Sequence, residues 1–81
     1  YSGIELYMVD GYIVVGDVAK GSPAEAAGIL EGDIVVAINK NFNQNLNQMK
    51  IALQQANERI KIIIRRNGLL HDYDFKIKTI L

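Results

Sequence analysis

The feature that most restricts the fold of this chain is a pair of hairpin-turn signals. Asp10-Gly11 and Asn67-Gly68 are dipeptides typical of two-residue turns between antiparallel strands. Alternating apolar residues flank the turns at 4–8, 60–64 and 73–77, and the first turn is followed by the continuous apolar run 12–15, from which the strand runs on through Val18. The sequence therefore predicts two β-hairpins.

The segment between the hairpins predicts two helices and one more strand. Ser22-Pro23-Ala24-Glu25 combines a helix cap, a Pro at the first helical position and a Glu three residues after the cap, and Gly28 closes this short helix. The β-branched run 34–38 suits a buried strand, which Asn39-Lys40-Asn41 breaks. A longer amphipathic helix follows, with apolar residues at intervals of three and four: Leu46, Met49, Leu53 and Ala56. The predicted fold class is α+β.

Length, charge and cysteine content exclude several classes of function. The 81 residues allow a single domain. Nine basic and nine acidic side chains give zero formal charge, so no overall field holds a phosphate backbone or an anionic membrane. We therefore expect no nucleic-acid partner and no membrane contact. The absence of Cys removes disulfides and thiol chemistry.

The residue types needed for catalysis are scarce. His71 is the only histidine, and Ser2 and Ser22 are the only serines, of which Ser22 is accounted for as a helix cap. One His with Asp72 and Asp74 does not assemble a metal-ligand set. The glycines lack the spacing of a phosphate-binding loop. We expect no catalytic residue, no metal and no cofactor, and hence a chain that is not an enzyme.

Two separated stretches resemble the PDZ family over essentially the whole chain. The first reads G-S-P-A-E-A-A-G-I at 21–29 and E-G-D-I-V-V-A-I-N at 31–39, and the second is the helix 46–56 with the strand 60–64. The closing strand at 73–77 is similar to the circularly rearranged arrangement of bacterial proteases, in which a C-terminal strand fills the place of the first one. The resemblance implies a small, partly open β-barrel or sandwich of five to six strands, with one short and one longer helix.

The resemblance also implies a binding groove for polypeptide C-termini or unfolded protein segments. An extended peptide would add itself as a strand between the strand 4–8 and the helix 46–56, with the loop Ser2-Gly3-Ile4 holding a terminal carboxylate. The implied peptide-binding residues are Ser2, Gly3, Ile4, Glu5, Leu6, Leu46, Lys50 and Leu53. The alternative from the residues alone is that Ile4, Leu6 and Leu53 are plain core residues.

A larger parent protein is a further implication of the resemblance. Domains of this kind occur in high-temperature-requirement serine proteases, C-terminal processing proteases, site-two metalloproteases and retropepsin-like aspartic proteases. We therefore expect residues 1–81 to be one PDZ-like domain excised from a protease, with the parent protease domain as a second partner and a periplasmic or cell-envelope location. The alternative is a degenerate groove, in which case the domain docks against its own protease or a second copy.

Overall fold

The computed structural model describes residues 2–42, 45–55 and 58–77. The elements are β1 (Ile4–Val9), β2 (Tyr12–Val18), α1 (Pro23–Ala27), β3 (Ile34–Ile38), β4 (Asn41–Phe42), α2 (Leu46–Gln55), β5 (Arg59–Arg66) and β6 (Leu69–Lys76). The strands form one antiparallel sheet in the order β1-β2-β3-β5-β6, with β4 paired to β3. The predicted α+β class and both hairpins are confirmed. Ala56 of the predicted longer helix lies outside the described residues.

Both hairpins turn on residues in the left-handed region of backbone space. The φ angles are 49° at Asp10 and 83° at Gly11, and 53° at Asn67 and 76° at Gly68. Two consecutive positive φ angles match the right-handed twist of the flanking strands, and Asp, Asn and Gly accept them most readily. Local turn chemistry therefore sets the register of β1 on β2 and of β5 on β6.

Helix α1 begins and ends at the residues that its sequence predicts. The Ser22 hydroxyl accepts from the Glu25 N–H at 3.2 Å, and the Glu25 carboxylate accepts from the Gly21 N–H at 3.0 Å. This reciprocal pair is a capping box. At the other end Gly28 has φ 105°, and its N–H donates to the carbonyls of Ala24 and Glu25 at 3.2 and 3.1 Å. The helix is therefore stopped by a left-handed cap.

The segment after β3 differs from the prediction. The sequence indicates only a break at Asn39-Lys40-Asn41, whereas the chain turns there and pairs Asn41 and Phe42 with Ile38 and Ala37 as the short strand β4. The turn uses positive φ angles of 48° at Asn39 and 69° at Lys40. Asn tolerates this conformation, but a Lys at positive φ gives no turn signal. The residue pattern alone therefore gives five strands, and β4 makes up the six that the PDZ-like expectation of five to six strands includes.

The core lies between the inner face of the sheet and the two helices. Its buried apolar residues come from every element except β4: Leu6, Ile13, Val15, Ala24, Ile29, Val35, Ile38, Met49, Ile60, Ile62, Ile64 and Phe75. Because alternate residues of a strand point to opposite faces, Ile60, Ile62 and Ile64 enter the core together. Among the described residues, no helix is both long enough and apolar enough to cross a membrane.

Candidate functional site: a groove between an open strand edge and a helix

The sheet order leaves β1 at one edge with β2 as its only strand partner among the described residues. Helix α2 packs beside β1. Between them is an open groove of about 590 Å³. Its lining residues are Ser2, Ile4, Glu5, Leu6, Tyr7, Lys50, Leu53 and Gln54. An edge strand carries backbone N–H and C=O groups without a ladder partner, so the groove presents hydrogen-bonding backbone opposite a helix wall.

Six of the eight residues implied by the sequence lie in this groove: Ser2, Ile4, Glu5, Leu6, Lys50 and Leu53. The other two lie elsewhere. Leu46 is half-buried against the core, at the first position of α2. Gly3 belongs to the loop before β1 but does not line the groove, because it faces α1 instead.

Two groove residues were missed from the sequence. Gln54 follows Lys50 by four positions, so helical spacing places both on one face, and this signal was available. Tyr7 lies on the strand face opposite to Leu6, and strand alternation would direct it away from the core. It lines the groove because the groove follows the edge of the sheet, where side chains of both faces reach it.

The floor of the groove is also part of the core. Leu6 is only 2% exposed and belongs to the core cluster, while Ile4 and Leu53 are partly buried and pack against that cluster. Ile4, Leu6 and Leu53 can therefore be core residues and groove residues at once, because the core borders the groove at this edge of the sheet. Apolar side chains at the floor favour an apolar ligand side chain.

The polar groups of the groove lie on its two walls. On β1 the Tyr7 hydroxyl donates to the Glu5 carboxylate at 2.8 Å, and this hydrogen bond, with the negative charge of Glu5, raises the pKa of Tyr7. The Tyr7 ring lies over Gly16, at a β-bulge where a Cβ would collide with it. Lys50 lies on the helix wall and is exposed. The groove therefore has an acidic strand side and a basic helix side.

The loop at one end of the groove is held by backbone hydrogen bonds to two elements. The Ser2 carbonyl accepts from the Ala24 N–H of α1 at 3.1 Å, and the Gly3 carbonyl accepts from the Ala19 N–H after β2 at 2.9 Å. Gly3 has φ 87°, and a Cβ there would collide with the Ser22 side chain. Within the loop the Ile4 N–H donates to the Ser2 hydroxyl at 3.2 Å. Hydrogen bonds therefore attach the loop both to α1 and to the end of β2.

A second groove of about 330 Å³ lies on the outer face of the sheet, where Phe42, Ala37 and Ile63 form an apolar row with Lys61 and Asp72 at its rim. Its strands β3 and β5 each pair with neighbours on both sides. At its sides lie β4 and β6, each of which pairs with a single strand of the described sheet. Its lining residues come from strands and the turn before β4, so this groove lacks the helix wall that faces β1 in the first groove, which favours the groove beside β1.

Two basic side chains of β5, Arg65 and Arg66, contact other residues of the domain. Arg66 makes a two-pronged ion pair with Asp33, with nitrogen-to-oxygen distances of 2.7 and 2.6 Å. The Arg65 guanidinium lies 5.6 Å from the centre of the Tyr12 ring. The ion pair joins Asp33, in the loop before β3, to a strand residue 33 positions away in the sequence.

The only histidine of the sequence packs against an aromatic side chain of the same strand. His71 lies on β6, partly buried, with its ring stacked 6.5 Å from that of Tyr73. Within residues 2–42, 45–55 and 58–77, no three His, Cys, Asp or Glu side chains form a group that could hold a metal ion.

The architecture defines the class of protein: a small sheet domain with two helices that presents an open strand edge beside the longer one. The family model described as PDZ domain matches residues 14–66, and the chain belongs to the PDZ family. A PDZ domain is a non-catalytic module, in agreement with the prediction that this chain is not an enzyme.

One curated relative is named "Probable periplasmic serine endoprotease DegP-like", from Chlamydia trachomatis serovar D. It is 39% identical over 57 residues, which are 68% of this chain and 12% of the relative. The chain therefore spans about an eighth of that protein. Serine proteases are one of the four protease classes that the sequence resemblance implies.

Three solved structures with similar folds are each less than 25% identical to this chain. The HtrA-type protease AlgW with decapeptide has a TM-score of 0.84 at 21% identity, over 95% of this chain and 28% of that chain. The HtrA3 PDZ domain bound to a phage-derived ligand, FGRWV, has a TM-score of 0.80 at 22% identity, and the match covers 96% of this chain and 84% of that chain. The PDZ domain of EpsC from Vibrio cholerae has a TM-score of 0.71 at 20% identity, and the match covers 94% of this chain and 95% of that chain. The predicted PDZ-like fold is confirmed.

Proposed function

We propose that this domain binds extended polypeptide segments by strand addition to β1, with α2 as the opposite wall of the groove. The observation that carries the proposal is the open edge of β1 facing α2 across a groove of about 590 Å³. A peptide in extended conformation pairs its backbone with such an edge, and its alternate side chains contact the groove floor and the helix. Affinity then comes from the ladder, and selectivity from the side-chain contacts.

The lining of the groove supports an apolar ligand side chain beside a charged one. Ile4, Leu6 and Leu53 provide the apolar contact. Lys50 provides a cation on the helix wall, where it attracts an acidic residue of the ligand weakly and in a salt-dependent manner. The relatives AlgW and HtrA3, whose structures hold a decapeptide and a phage-derived ligand, support peptide binding by this fold.

We further propose that the domain serves a parent protease of the cell envelope by recognising substrate or regulatory polypeptides. Support comes from the DegP-like relative, which is named a periplasmic endoprotease, and from AlgW, which is an HtrA-type protease. In this setting the partners are unfolded protein segments or C-termini and the parent protease domain.

The test is a titration of the nitrogen-15-labelled domain with an acetylated hexapeptide ending in Val-Ala-Val. We expect amide shift changes to concentrate on β1 and α2. Leu53→Asp is expected to weaken binding by at least about tenfold, because it places a charge beside the apolar floor. Ile51→Asp is the matched control on α2, since Ile51 is 39% exposed and does not line this groove. The affinity of this variant for the hexapeptide should differ from that of wild type by less than about twofold.

Thermal midpoints of both variants separate lost binding from lost folding, because Leu53 is partly buried. Shift changes centred on Phe42 and Ile63 would move the binding surface to the outer groove and contradict the proposal. Equal weakening by the two substitutions would also contradict it. Self-association without peptide binding, measured by sedimentation, would favour the docking alternative.

A further inference from the structure

The first backbone N–H on the open edge of β1 is that of Ile4. The carbonyl of the peptide unit between Gly3 and Ile4 accepts from Ala19 at 2.9 Å, on the β2 side. The described peptide bonds are all trans, so the N–H of the same unit points away from β2 and toward the groove. This amide is therefore the donor that an anionic ligand group at this end of the groove would meet first.

That donor already has an acceptor within the chain. The Ser2 hydroxyl oxygen accepts from the Ile4 N–H at 3.2 Å. Ser2 is 9% exposed and lines the groove, so its oxygen occupies the position beside the amide that a ligand oxygen would take. A carboxylate reaching the Ile4 amide has to displace this oxygen.

The hydroxyl is presented by a rigid segment. The Ser2 carbonyl is bonded to the first turn of α1 through the Ala24 N–H at 3.1 Å, and the adjoining Gly3 is pressed against Ser22 so closely that it has no room for a Cβ. Displacement of the oxygen therefore requires rotation of the Ser2 side chain, since the backbone that follows it is held.

We propose that Ser2 is a specificity-determining residue that lowers the preference of this groove for a free C-terminus, so that internal extended segments bind nearly as well. The inference rests on the proposed function, because it concerns the same groove. The net free-energy contribution of one intramolecular hydrogen bond corresponds to a factor of about 3–10 in an equilibrium constant. The hydroxyl should lower the affinity of a carboxylate ligand by this factor and leave the affinity of an amidated ligand unchanged.

The experiment compares two hexapeptides ending in Val-Ala-Val, one with a free carboxylate and one amidated, on wild type, Ser2→Ala and Ser2→Thr. We expect Ser2→Ala to bind the free-acid peptide about 3–10-fold more tightly than wild type does. Its affinity for the amidated peptide should stay within about twofold of the wild-type value. Ser2→Thr keeps the hydroxyl and should retain the wild-type ratio of acid to amide affinity. Weaker binding of the free acid by Ser2→Ala would overturn the proposal, since the hydroxyl would then be a donor to the ligand. An unchanged ratio would also overturn it.

A second measurement does not require any peptide to bind. Hydrogen exchange of the Ile4 amide should be about 3–10-fold faster in Ser2→Ala than in wild type, relative to the amides of β2. Sodium acetate should shift the Ile4 amide resonance more in Ser2→Ala than in wild type. If neither peptide binds any of the three proteins, the proposed function fails while these two readouts still decide whether the hydroxyl blocks the amide. Unchanged exchange and unchanged acetate shifts would overturn the role of Ser2.

Discussion

At the scale of single residues, Gly3 shows how one missing side chain positions the groove loop. Its φ of 87° is strained for any residue with a Cβ, and its Cα approaches Ser22 with no space for one. Gly32 has a similar φ of 91°, but apart from its two neighbours along the chain no residue has an atom within 4 Å of the position that a Cβ would take there. The two glycines therefore have a similar φ angle and differ in whether a neighbouring side chain leaves room for a Cβ.

We predict that Gly3→Ala destabilises the domain more than Gly32→Ala does. The left-handed conformation costs Ala about 1–2 kcal/mol at either position. At position 3 the collision with Ser22 adds about 1–3 kcal/mol, as overpacking does in a close-packed interior. Denaturant unfolding of the two variants measures the difference. Equal losses of unfolding free energy would show that the loop moves away from α1 to admit the Cβ.

At the scale of elements, local signals account for how α1 is bounded. Its capping box and its left-handed cap are formed by residues within four positions of one another. Gly28 also meets β6, because a Cβ there would lie 3.5 Å from the Tyr73 ring, and its carbonyl accepts from Arg66 at 3.1 Å. The end of the helix is thus also a packing point.

We predict that Gly28→Val lowers the free energy of unfolding by about 2 kcal/mol or more, because a β-branched residue is strained at a φ of 105°. Gly28→Asn is the matched control at the same position, since Asn accepts the left-handed region with less strain. Its thermal midpoint should lie between those of wild type and Gly28→Val. Equal midpoints for Val and Asn would mean that contact with Tyr73, rather than backbone strain, decides the effect.

At the scale of the whole molecule, the Asp33–Arg66 pair joins the loop before β3 to the end of β5. Asp33 is 2% exposed and also accepts from the Leu30 N–H at 2.9 Å. Burial alone would raise the pKa of Asp33, but the hydrogen bonds from Arg66 and Leu30, together with the charge of Arg66, hold its pKa below the ordinary value. The ionised carboxylate is therefore favoured in the folded state.

We predict that Asp33→Asn destabilises the domain by roughly 2–3 kcal/mol at neutral pH, somewhat less than for a fully buried pair because the Arg66 side chain is 24% exposed. Asp74→Asn is the control. Its partner Arg59 lies at 2.8 Å, but the two side chains, Arg59 and Asp74, are 49% and 44% exposed, so the loss should stay below about 1 kcal/mol. Denaturant unfolding of both variants at pH 7 measures the two losses, and equal losses would contradict the role given to Asp33.

The pH dependence follows from the lowered pKa of Asp33. A carboxyl group with a depressed folded-state pKa contributes stability that is complete above its unfolded pKa of about 3.9 and is lost as the pH falls through the folded-state pKa. The stability gap between wild type and Asp33→Asn should thus be constant from about pH 7 to 5 and narrow below about pH 4. A gap that widens on acidification would contradict the assignment.

The eight candidate binding residues came from the resemblance to the PDZ family, and six of them line the groove beside β1, while their binding role stays a prediction. Gln54 could have been added from the sequence, because helical spacing places it on the same face as Lys50. The groove position of Tyr7 and the partly buried position of Leu46 could not be predicted from the sequence, because both depend on how β1 and α2 are placed against each other.

The sequence by itself determined the two hairpin turns and both ends of α1, because each depends on hydrogen bonds and backbone angles within a few residues. Its apolar periods also determined the order of all elements except β4. Only the tertiary structure decided that Asp33 pairs with Arg66 and that the Ile4 amide faces the groove. The first contact spans 33 positions. The second follows from the pairing of Gly3 with Ala19, which turns the next N–H outward. Sheet pairing brings such groups together across the chain, and no local period encodes it.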